Sequence, residues 1–185
     1  MPPLVWQAGK TAAAVRYTAI TAMATLLGKR LPLPDHVLAA IEGTVAATTA
    51  AAATGKGSGD AGAGTGLLPL LFSALDEDWY TDMRLAACYV LEQLLEMVGP
   101  RLSDAARRAI YPELHKRLDD AHNSESACSV LLAAAAVKPA VTASEVRKVR
   151  DRFRSKHYCD RVLAACAAAA DTAAVAPSQQ PSSGS

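Results

Sequence analysis

The sequence predicts an all-α protein, a solenoid of antiparallel helix pairs, and three observations carry that expectation. The first is composition. Forty of the 185 residues are alanine and only 5% are aromatic, and small side chains in bulk suit closely packed helices better than sheets. The second is periodicity. Apolar residues recur at helical spacing, and no alternating strand pattern runs longer than a few residues. The third is an internal repeat with a constant offset of 43 residues.

Taken in order, residues 10–28 carry Ala14, Val15, Ile20, Met23, Leu26 and Leu27, with Gly28 as a stop. Residues 35–53 follow Pro34, with Asp35 placed to cap and Val37, Leu38, Ile41 and Val45 on one stripe. Residues 67–75 form a short helix. Residues 79–98 follow Asp76-Glu77-Asp78, carry Met83, Ala87, Val90, Leu91, Leu94 and Leu95, and end at Gly99-Pro100. Ser103 opens a helix to about Leu118. Asn123 or Ser124 opens another to about Val137, which Lys138-Pro139 stops. Thr142-Ala143-Ser144-Glu145 reads as a capping box for the next helix. A last helix holds Val162, Leu163 and Cys166.

The repeat aligns 67–77 with 110–120. Pro69 meets Pro112, Leu71 meets Leu114, Leu75 meets Leu118 and Asp76 meets Asp119. A second helix follows each unit after a few polar residues. Two helices per period of about 40 to 47 point to HEAT or armadillo repeats, about three here with incomplete ends. Val15-Arg16-x-x-Ala19-x-x-x-Met23 and Met83-Arg84-x-x-Ala87-x-x-x-Leu91 share one second-helix pattern. Arg16 and Arg84 read as structural, able to form a polar ladder with turn aspartates. On this alignment residues 10–27 are a second helix whose first helix would precede Met1. Part of Trp6, Ile20, Met23, Leu26 and Leu27 is then expected to face solvent.

Hydrophobic residues make up 51% and charged residues 20%, a globular balance, with a formal net charge of +1. No global field favours nucleic acid or an acidic membrane. Residues 1–170 are expected to form the repeat domain, interrupted by a flexible Gly-rich insert at 54–66 and followed by a disordered tail at 171–185. No apolar stretch reaches the length of a membrane span, and Met1 to Trp6 lacks a signal-peptide pattern. A cytoplasmic location is expected, with Cys88, Cys128, Cys159 and Cys166 as free thiols.

Motifs with chemical potential fall away on context. Gly9-Lys10-Thr11 ends like a phosphate loop, but Leu4 stands where that loop needs glycine. Gly57-Ser58-Gly59-Asp60-Ala61-Gly62 matches a dinucleotide fingerprint by letter, yet lies in the Gly-rich run without a flanking strand. His115 and His122 are parted by a turn, and His157, Cys159 and Cys166 lack a fourth ligand. The acids at Asp76–Asp78 and Asp119–Asp120 recur at one repeat position, which marks structure. No catalytic set and no cofactor are expected. The strongest charge feature is Arg147, Lys148, Arg150, Arg152, Arg154 and Lys156, flanking a stripe of Val146, Val149 and Phe153. It reads as a solvated helix flank or a dock for an acidic protein surface, and not for nucleic acid, since aromatic residues are not interleaved.

Three strings carry a family resemblance. Val5 to Arg16, Ile110 to Asp120 and Arg154 to Leu163 resemble, in the same order, segments of the HEAT-repeat dynein axonemal assembly factor family, towards its C-terminal end. The resemblance implies a non-catalytic cytoplasmic scaffold for dynein arm assembly. Its implied partners are axonemal dynein subunits and chaperones or co-chaperones, with upstream repeats in a longer parent chain. Family members are longer and carry one more repeat before the terminal segment. The Gly-rich insert has no recognised counterpart among them.

Overall fold

The computed structural model describes residues 10–43, 66–152 and 156–175. The described residues are helical and contain no strand. The Gly-rich insert, Trp6, Phe153, Arg154 and the tail beyond Val175 lie outside them.

The helices are α1 (Lys10–Gly28), α2 (Asp35–Glu42), α3 (Leu67–Leu75), α4 (Thr81–Val98), α5 (Asp104–His115), α6 (Ser124–Val137), α7 (Pro139–Val149) and α8 (Lys156–Val175). Short 3-10 turns follow α4 at Gly99–Arg101 and α7 at Arg150–Arg152. Long helices α1, α4, α6 and α8 pack side by side in chain order, forming one layer. Against it lie the first helices: α3 on α4, α5 on α6 and α7 on α8, with α2 against α3. This is the expected helical solenoid. Helices α4 and α6 begin at Thr81 and Ser124, which keeps the 43-residue offset.

The core runs between the layers. Leu68, Leu71 and Leu75 of α3 bury against Met83, Leu91, Leu94 and Leu95 of α4, and Ile110, Leu114 and Leu118 repeat the arrangement one unit on. Leu71 and Leu114 are both fully buried, as are Leu75 and Leu118. Each such side chain contributes roughly 1.5–3 kcal/mol relative to exposure. Small residues set the spacing of the long-helix layer. Ala87, Ala127, Ala134 and Ala135 are buried, and a Cβ on Gly99 would lie 2.7 Å from Cγ2 of Val137.

Several local expectations change. Pro34, not Asp35, is the N-cap of α2, and Asp35 is its first helical residue, paired with Arg101 at 2.6 Å. The described part of α2 stops at Gly43, whose φ is 57°. Gly43 and Gly66 approach closely, because a Cβ on Gly66 would fall 2.4 Å from Cα of Gly43. Ser103 does cap α5, accepting from the Ala106 amide at 3.2 Å. Thr142 caps nothing. Pro139 stands at the first helical position, where its missing N–H costs nothing, so α7 starts there. Thr142 is then interior, donating to the Lys138 carbonyl at 3.1 Å and lying 2.8 Å from the Tyr111 hydroxyl. Pro69 lies in the first turn of α3 and is buried, whereas Pro112 stands late in α5 and is exposed. Helix α8 runs through Val175, so the first five residues of the expected tail are helical.

Helix α1 buries Ile20 and Leu27, half-buries Met23 and leaves Leu26 63% and Val15 44% exposed. No first helix precedes it among the described residues.

Candidate partner-binding surfaces

A buried arginine must find partners, and those partners here come from successive turns. Arg84 of α4 donates to the carbonyls of Glu77 at 2.9 Å and Asp78 at 2.6 Å, and its guanidinium lies 3.4 Å from the Asp120 carboxylate. Arg16 of α1 pairs with Glu77. Glu77 and Asp120 are themselves 43 residues apart. Arg16 and Arg84 therefore each reach an acid in the next turn along the stack. Arg117 adds a link from its own turn back to Asp76 at 2.5 Å and Asp78 at 3.2 Å. Asp76 thus takes part through Arg117, while the acids facing Arg16 and Arg84 are the neighbours, Glu77 and Asp120. Asp119 is exposed. Burial pushes the Asp120 carboxyl up, but hydrogen bonds from Asn123 and the His122 amide, with the charges of Arg84 and Arg117, bring it below its usual value.

The basic run does not lie on one helix. Arg147 and Lys148 end α7, Arg150 and Arg152 form the 3-10 turn, and Lys156 opens α8. The chain reverses here because α7 and α8 pack along each other, with Val146 and Val162 buried. Much of the charge is locally matched: Lys148 with Glu145 at 2.6 Å, Arg150 with Asp160 at 2.6 Å and Lys156 with Asp151 at 3.7 Å. The hydrogen bond from Arg150 holds Asp160 below the carboxylate range. Arg147 and Arg152 point to solvent from this hairpin.

The reactive residue types are placed for packing. Burial pushes the Cys88 thiol up to about 12, and burial also raises Cys128, Cys159 and Cys166. Such thiols stay protonated at neutral pH and are poor nucleophiles. Burial lowers His115. Among the described residues, no three His, Cys, Asp or Glu side chains gather to hold a metal.

One surface was missed from sequence. A groove of about 520 Å³ separates α1 from α4, lined by Tyr17, Ala24, Asp82, Leu85, Ala86 and Tyr89 among others. A second, of about 280 Å³, lies between α4 and α6 and shares Leu85 and Tyr89, with Glu92 and Glu125 on its walls. The signal was present. Asp82, Leu85, Ala86, Tyr89 and Glu92 follow helical spacing on the side of α4 opposite its core stripe.

Comparison with known proteins adds what geometry does not. Dynein axonemal assembly factor 5 of Mus musculus is 31% identical over 133 residues, covering 71% of this chain and 13% of the mouse protein. The chain is a relative of the dynein axonemal assembly factors. The protein of the same name from Xenopus laevis is 23% identical over 211 residues, covering 88% of this chain and 22% of its own length. This assembly factor relative therefore spans a small part of the curated proteins it matches, consistent with the expected C-terminal portion. No family model and no solved structure matches. Of the strings that carried the resemblance to assembly factors, 110–120 spans the end of α5 and its turn, and the described part of 154–163 opens α8.

Proposed function

We propose that this chain is a non-catalytic helical-repeat scaffold in the cytoplasmic pre-assembly of axonemal dynein arms, binding dynein subunits, chaperones or both. The observation that carries this reading is the 31% identity, over 71% of the chain, to a protein named as a dynein axonemal assembly factor. The architecture supports it. A stack of helix pairs offers long surfaces to large partners, and each pair contacts mainly its neighbours. Residues 1–175 act as one repeat domain, with the 54–66 insert as a loop and 176–185 as a tail. Arg147 and Arg152, with Arg154, are a candidate contact for an acidic protein surface. The alternative is a generic HEAT-type adaptor in transport or microtubule-linked assembly, which the 43-residue pitch alone would equally fit.

Tagged chain is exposed to an extract of ciliated cells, and bound proteins are identified against a tag-only control. Enrichment of axonemal dynein subunits or chaperones is expected. Enrichment of transport or microtubule-linked components without either overturns the dynein reading in favour of the adaptor.

A further inference from the structure

We propose that the exposed side of the long-helix layer, where α4 lies between α1 and α6, is a docking groove for a basic amphipathic helix of a partner protein. This rests on the reading of the chain as a protein-binding scaffold and names the surface that does the binding. The two grooves are continuous in composition, since Leu85 and Tyr89 line both. Tyr89 is 49% exposed and stands between them as a large apolar ridge. Tyr17, Ala24 and Ala86 extend the apolar floor on the α1 side. Aromatic side chains are frequent anchors of protein interfaces.

Charge selects the occupant. Asp82, Glu92 and Glu125 line the grooves, and neither groove is lined by a lysine or arginine. Asp82 is exposed and has no ion-pair partner among the described residues. Glu92 accepts a neutral hydrogen bond from Ser129 at 2.6 Å, which leaves its charge uncompensated. Of the three, Glu125 alone is matched, by Arg161 at 2.8 Å. An acidic helix or a nucleic-acid backbone would be repelled, whereas lysines and arginines would gain partners at both ends of the apolar ridge. Shape favours a helix. From Asp82 to Glu92 the stripe spans roughly 15 Å, or about three turns, the reach of anchors at i, i+3 or i+4, and i+7.

The probe is a fluorescein-labelled amphipathic peptide with leucines on one face and lysines on its flanks. Its control carries glutamate for every lysine. Anisotropy titrations on the full chain should show binding of the lysine peptide, weakened by salt, and none of the glutamate peptide. Asp82→Lys with Glu92→Lys should weaken binding by roughly tenfold or more, and Tyr89→Ala by about fivefold or more. Arg147→Glu with Arg152→Glu, on the distant hairpin, should not weaken it. Failure of the lysine peptide to bind, equal binding of both peptides, or full binding by groove variants with native circular dichroism overturns the groove. Such a failure leaves enrichment of dynein subunits from extract standing. Peptide binding without that enrichment overturns the dynein reading and keeps the groove.

Discussion

Arg84 shows how one charged residue ties a repeat stack together. It is only 4% exposed, and it holds two carbonyls of the turn before its own helix while facing Asp120 of the next unit. Truncation to alanine removes these bonds at once and leaves partly buried acceptors without their donor. Arg84→Ala should therefore cost about 2–4 kcal/mol in urea unfolding. Arg150→Ala, at an exposed ion pair, should leave the unfolding midpoint unchanged within error. His115 gives a pH handle. Its ring is held below the ordinary histidine value by burial, with Lys148 acting in the same sense and Glu145 opposing. The unfolded chain then takes up a proton at a higher pH than the folded one. Stability from this site is full above about pH 6.5 and is lost as pH falls from there through the lowered folded value. Thermal melts between about pH 7 and pH 5 should show that decline, and His115→Gln should flatten it. The second-helix pattern made Arg16 and Arg84 legible from sequence. Turn acids were the expected partners, and only the path of each turn decides that Glu77 and Asp120 are the ones that face the arginines.

Among elements, the first helices hold the surprises. Helix α3 has nine residues where α5 has twelve, and α2 lies against α3 on the near side of the insert. The backbones of Gly43 and Gly66 lie close together. Gly66→Ala would press a methyl against Gly43, and backbone cannot give way as a side chain can. A loss of roughly 1–3 kcal/mol is expected in thermal or urea unfolding. Deletion of Lys56 to Thr65 should shift stability by only about 1 kcal/mol or less, since loop closure depends weakly on length. Helix boundaries were legible where a glycine or a capping hydroxyl marked them, as at Ser103. They were misread at Pro139, which ends α6 and also begins α7. The Thr142–Glu145 letters matched a cap, but the helix had already started and Thr142 was committed to Lys138 and Tyr111.

At the scale of the whole molecule, α1 is the outermost long helix among the described residues and carries exposed apolar side chains. Val15, Ala19, Ala22 and Leu26 follow i, i+4, i+7 and i+11 spacing on α1, and Val15 and Leu26 are substantially exposed. Apolar stripes of this kind mark an interface or a liability. Light scattering at micromolar concentration should show self-association that Val15→Lys with Leu26→Lys removes, and a monodisperse parent chain would contradict this. Of the residues expected to face solvent in part, Leu26 does so and Met23 is half-buried, whereas Ile20 and Leu27 turn inward and Trp6 lies outside the described residues. The sequence by itself determined the all-α class, the 43-residue pitch and the leucines that fill the core, because helical period and repeat offset are written in local spacing. Only the tertiary structure decided which acid meets which arginine, that the basic run bends into a hairpin, and that Leu85 and Tyr89 line two grooves with carboxylates on their walls. Those facts depend on how neighbouring helices lie against one another, and no spacing within a single helix encodes that.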